Sequence, residues 1–173
     1  MGPIRPYLAV LDRAAVAGVV VFVVAVTVDL GTKVYAVDHG GLGYVVYNNT
    51  HDGDSVRRLV MSLTALAFTV CAAIIARRRG IGRLWGAWIG VGLLVGGVLS
   101  NGVSQVIWSR GTPDFIHFYS MSPDVWNIAD FEIWWGLTGG LFSILVAALI
   151  AFAHERIHAR STPRVKPAAN ADG

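Results

Sequence analysis

Charge is scarce in this chain and cysteine nearly absent. Only 14% of its 173 residues are Asp, Glu, Lys or Arg, while 54% are hydrophobic, and the mean hydropathy is +0.57. Soluble domains carry about 25% charged residues, so this composition excludes an ordinary water-soluble globule and indicates an integral membrane protein. The single cysteine, Cys71, permits no intrachain disulfide, so covalent staples play no part in the fold. The basic excess, 14 Lys and Arg against 11 Asp and Glu, calls for no nucleic acid, because cytoplasmic loops of membrane proteins collect these residues anyway. No internal or inverted repeat is found, and the ionisable groups gather at one surface rather than at mid-membrane, which argues against a transporter.

What is present is apolar sequence in long runs. Four stretches, Ala14 to Leu30, Leu59 to Ala76, Leu84 to Trp108 and Ile133 to Ala153, satisfy the roughly 17 to 25 residues needed to cross a bilayer as helices. Arginines precede the first (Arg5, Arg13), fill the connection after the second (Arg77, Arg78, Arg79, Arg83) and, with Lys166, follow the fourth (Arg156, Arg160, Arg164). This distribution predicts cytoplasmic termini. The first run lacks a small-x-small pattern after it, and Asp29 and Lys33 are placed four apart on one face of a continuing helix, so it is expected to stay rather than be cleaved. The expected domain organisation is a four-helix transmembrane unit over residues 1–155, followed by a disordered cytoplasmic tail over 156–173.

The third run ends in Ser100, Asn101, Ser104 and Gln105, which must face protein or water and imply a polar pocket. Between the first two runs, Tyr44-Val45-Val46-Tyr47 predicts a short strand and Asn48-Asn49-Thr50-His51-Asp52-Gly53-Asp54 a turn, together a small extracytoplasmic lip. Two acids, Asp114 and Asp130, flank the polar stretch between the third and fourth runs. Brought close together, such carboxyls share one proton: one takes a proton from water while the other polarises a carbonyl, which is peptide hydrolysis without a cofactor. A structural reading stands beside this. Asp130 also suits the first turn of the fourth helix, and Asp114 after Pro113 suits a turn.

Asp29 with Lys33, Asn49 in the lip, Gly97, Asn101 and Ser104 on the third helix, Asp114-Phe115-Ile116, and above all Asn127-Ile128-Ala129-Asp130 form an ordered set that resembles the lipoprotein signal peptidase (signal peptidase II) family. The resemblance implies a four-helix membrane aspartic endopeptidase of the bacterial plasma membrane. Its substrates would be prolipoproteins, cut before a cysteine already carrying diacylglycerol; beyond these and membrane lipids no partner is expected, and the protein would be a monomer. Asp114 and Asp130 would be the catalytic dyad, Asn49 would touch substrate backbone, Asn127 and Ala129 would support the second acid, and Asp29 with Lys33 would brace the first helix against the site. Asn101 and Ser104 would complete the substrate-positioning shell.

This sequence departs from the family where Gly-Asn-x-x-Asp-Arg is usual: it has Ser100-Asn101-Gly102-Val103-Ser104-Gln105, keeping the Asn but not the acid-arginine pair. The lip segment after Asn49 is also more polar than the usual one. Losing the acid and its arginine together leaves no unpaired charge. The alternative is an inactive relative that binds lipoproteins or signal peptides as an assembly factor. The histidines, including the i,i+4 pair His154 and His158, suit structural or solvated roles better than a metal site. Trp108, Trp126, Trp134 and Trp135 suit an interfacial aromatic belt, and the glycines of the third run suit close helix packing.

Overall fold

The computed structural model describes residues 13–40, 44–48, 54–78, 85–118 and 125–161. Four helices dominate: α1 (Arg13–His39), α2 (Asp54–Arg78), α3 (Trp85–Ile107) and α4 (Ile128–Ser161). Three of them, α1, α3 and α4, are long and apolar enough to cross a membrane, and α2 contributes a shorter apolar segment, Val60–Ile75. The distribution of side chains is inverted relative to a soluble protein. Val19, Val20, Val23 and Val24 of α1 lie mostly exposed, whereas Asp29, Lys33, Ser100, Ser104 and Asn127 are buried. Apolar outside and polar inside is the arrangement a hydrocarbon solvent selects.

Helix α3 is the central element, packed between α1 and α4, with α2 against α3 and α4. Glycine makes these contacts close. A Cβ at Gly90 would lie 2.6 Å from the carbonyl oxygen of Gly136 and 2.6 Å from Cα of Gly140, while one at Gly92 would meet the carbonyl of Gly18 on α1. Backbone thus rests on backbone, as small residues allow where no hydrophobic effect drives helices together.

The lip forms between two connections. Strand β1 (Val46–Asn48) pairs antiparallel with β2 (Thr112–Asp114), placing Val46 opposite Asp114 and Asn48 opposite Thr112. A second ladder joins β3 (Ile116–His117) to β4 (Val125–Trp126), with Ile116 opposite Trp126, and the Phe115 amide donates to the Trp126 carbonyl at 3.0 Å. His117 closes the lip through Nε2, 2.9 Å from the Tyr44 carbonyl oxygen. The chain leaves α3 through Gly111, whose φ of 109° is open to glycine at little cost, and its amide bonds the Trp108 carbonyl at 3.0 Å.

Several boundaries differ from expectation. Helix α1 runs nine residues past Leu30, to His39, because the buried Asp29–Lys33 pair lets polar residues continue an apolar helix. Asp114 occupies a strand rather than a turn, since β1 supplies the pairing partner that a lone connection lacks. The expected lip strand is shifted towards Asn48. Helix α4 continues to Ser161, into the stretch expected as a tail, because Arg, Ile, His and Ala there are compatible with a helix once the preceding turns are formed. Residues 162–173, Asn49 and the turn over 49–53, and the basic connection at 79–84 lie outside the described residues.

Substituting Gly90→Ala should force α3 and α4 apart and lower thermal stability in detergent by about 1–3 kcal/mol. Gly102→Ala, with nothing within 4 Å of the added carbon, should leave stability unchanged or slightly higher. Melting curves of the two variants make the comparison.

Candidate active site

The start of α4 is where the buried polar groups meet. A helix N-terminus leaves amide donors without partners, and three side chains take them here. The Asn127 Oδ1 accepts from the Asp130 amide at 3.2 Å, and Asp130 Oδ2 accepts from the Asn127 amide at 3.0 Å, a reciprocal cap. The amide of Ala129 donates to Asp29 Oδ1 at 2.8 Å, so a carboxylate from α1 completes the cap of α4 and meets the positive end of its dipole.

Capping fixes which way Asn127 faces. Its oxygen must meet an N–H donor, so its nitrogen is turned outward, and Nδ2 donates to Asp114 Oδ1 at 2.5 Å. The antiparallel pairing of Ile116 with Trp126 carries Asp114 to this position beside the cap. One asparagine therefore hydrogen-bonds both Asp114 and Asp130.

The same logic orients Asn101. Lysine can only donate, so the Asn101 Oδ1 faces Lys33 Nζ at 2.7 Å and its Nδ2 is left to donate to Asp130 Oδ1 at 3.2 Å. Lys33 in turn is paired with Asp29 at 2.6 Å, both side chains being fully buried. Ser100 Oγ donates to Asp29 Oδ2. The chain Asp29, Lys33, Asn101, Asp130, Asn127, Asp114 is one connected network drawn from α1, α3, α4 and β2.

Asp114 is 4% exposed, and burial pushes its carboxyl up from 3.8 to about 6. The Asn127 hydrogen bond opposes this rise and the charge of Asp130 adds to it, while Lys33 and the side chain of Asn48 also favour the charged form. The group is thus poised to hold or release a proton near neutrality. Two carboxyls held by one asparagine, Asp114 through its side-chain amide and Asp130 through its backbone N–H, with Asp114 poised in this way, can perform general acid-base chemistry on a bound water.

Of the residues singled out in the sequence, the structure brings together Asp29, Lys33, Asn101, Asp114, Asn127, Ala129 and Asp130. Ala129 takes part through its backbone amide. Ser104 does not join them: it is buried, and its hydroxyl donates back to the Ser100 carbonyl at 2.7 Å. Gln105 points outward from α3. Asn49 lies outside the described residues; its neighbour Asn48 acts on Asp114 through its side chain. Sequence reasoning left Asn48 and Glu132 out of the site; the Asn48-Asn49 repeat is ambiguous without the strand register, and Glu132 stands out only as an acid inside an apolar helix.

The family model for Signal peptidase (SPase) II matches residues 19–149, a stretch that contains every site residue named above. Comparison with curated proteins and with solved structures gives no match.

Removing the Asn48 donor with Asn48→Ala should move the titration of Asp114 to higher pH, since a bond to the charged form is lost. Isotope-edited infrared spectroscopy of the carboxyl stretch reads this directly. A midpoint that stays put or falls would contradict the geometry.

Proposed function

Because the chain belongs to the signal peptidase II family, whose members remove signal peptides from lipoprotein precursors at the membrane, we propose that it is an aspartic endopeptidase with Asp114 and Asp130 as its catalytic dyad. The observation that carries this reading is the hydrogen bonding of both acids by the single residue Asn127.

Asp114, favoured in its neutral form by burial, polarises the scissile carbonyl. Asp130, held by the Asn127 amide and the Asn101 side chain, takes a proton from water as its oxygen bonds to the carbonyl carbon. Collapse of the tetrahedral intermediate breaks the C–N bond, and the leaving amine takes up a proton from the dyad, which is then restored for the next turnover. The substrate is a prolipoprotein cut before a diacylglyceryl-modified cysteine. Its lipid would lie along the apolar outer faces of the helices while the peptide reaches the lip.

In this reading α2 is the fourth span, both termini are cytoplasmic and the dyad faces the outer side of a bacterial plasma membrane, as the arginine distribution supports. Ser104 and Gln105, where the family usually has an acid and an arginine, stand off the dyad: one bonds its own helix and the other points away. The network around the acids is complete without them, which favours an active enzyme.

In cells lacking their own signal peptidase II, the wild-type chain should mature a lipoprotein precursor. Asp114→Asn and Asp130→Asn should each slow cleavage of the purified precursor by at least about a hundredfold. Full activity in either variant would remove that acid from the mechanism, and absence of cleavage by the wild type would favour the binding alternative.

A further inference from the structure

Helix α4 carries a second acid that the reaction as described does not use. Glu132 is 7% exposed, and its Oε2 is buried with no hydrogen-bond partner among the described residues. Its place is the contact between α3 and α4. A Cβ on Gly97 would lie 3.1 Å from the Cβ of Glu132 and 2.5 Å from the Ala129 carbonyl oxygen, so the glycine leaves the room this side chain occupies. The seam beside it includes Ala129, Ile133, Gly136 and Gly140 of α4 against Gly90, Leu94 and Gly97 of α3. An apolar side chain would suit such a seam at lower cost, because a carboxyl taken out of water without a partner is unfavourable by kcal/mol.

The charges that act on Glu132 are those of Asp29 and Lys33, both on α1. Lys33 is fully buried and its ammonium has three N–H donors. Among the described residues Asp29 takes one and Asn101 another. One buried donor and one buried acceptor thus remain on facing elements, beyond direct hydrogen-bonding reach of each other. A single bridging water satisfies both at little entropic cost.

We propose that Glu132 is a positioning residue: through one buried water its Oε2 accepts from the third N–H of Lys33 and holds the lysine where it aims the Asn101 amide at Asp130. The proposal rests on the peptidase reading of the dyad. Among the described residues, Lys33 is the donor that holds the Asn101 oxygen and so fixes which way its amide nitrogen faces. With two anchors it can pivot about the line joining them; with a third acceptor it cannot. A tilt of Lys33 would let Asn101 turn, and Asp130 would lose the donor on its Oδ1.

The test compares wild type, Glu132→Leu, Glu132→Gln and Asp114→Asn for cleavage of a diacylglyceryl-modified precursor in detergent, with melting curves for each. Glu132→Leu should remain folded, keep KM within about twofold and lower kcat by roughly ten- to a hundredfold, the loss expected when a reacting group is misplaced. Glu132→Gln keeps an acceptor oxygen at the same position and should recover most of that loss. In a Lys33→Met background, Glu132→Leu should have little further effect, because the two act in series. Wild-type kcat in Glu132→Leu, a Gln variant no better than Leu, or additive losses with Lys33→Met would each overturn the proposal. Activity in Asp114→Asn would instead remove Asp114 from the dyad on which the proposal rests.

Discussion

Asn127 performs two tasks with one side chain, and the geometry of the site follows from it. As the cap of α4 it must present its oxygen to the Asp130 amide. That obligation turns its nitrogen to Asp114, and the Asn127 backbone donates to the Asp130 carboxylate. Two acids from different elements are therefore brought together by the requirement that a helix terminus satisfy its own donors. The pair is a by-product of building α4; for the proposed reaction, that is the form of preorganisation that costs least.

Behind the pair stands the buried ion pair of Asp29 and Lys33. Charges inside a membrane protein are expensive, and removing one partner alone leaves the other uncompensated. Here neither charge is isolated. Asp29 meets the Ala129 amide, Ser100 and Lys33, and Lys33 meets Asn101. The ion pair ties α1 to α3 and to the start of α4, with glycine contacts between these helices letting the short side chains reach across. Setting and chemistry are linked. An apolar exterior places the protein in the bilayer, and the polar interior gathers the buried ionisable groups at one end of the bundle, where burial raises Asp114 towards neutrality.

Much of this was legible in the chain. The apolar runs gave the helices, because hydropathy over many residues outweighs local detail, and Asn127-Ile128-Ala129-Asp130 pointed to a cap, which the start of α4 contains, as well as to the proposed dyad. The spacing of Asp29 and Lys33 indicated that α1 continues past Leu30; that it reaches His39 was harder to see, since the unbroken apolar run stops at Leu30. Strand β2 was hidden because its partner, Val46–Asn48, lies far away in sequence and its central residue is a proline. That same register is what brings Asn48 near Asp114. Ser104 looked like a member of the polar pocket, but its helical position lets the hydroxyl bond Ser100 one turn back, which residue type alone does not reveal. Glu132 was the least visible, because what distinguishes it is an acceptor without a partner.

The most direct test of the account separates the two tasks of Asn127. Serine caps helices about as well as asparagine but carries no amide to reach Asp114. The cleavage rate of a lipidated precursor by Asn127→Ser, measured on protein whose melting temperature matches wild type, should fall by about a hundredfold. A folded serine variant that cleaves at the wild-type rate would show that the bridge between the acids is not what makes this site work.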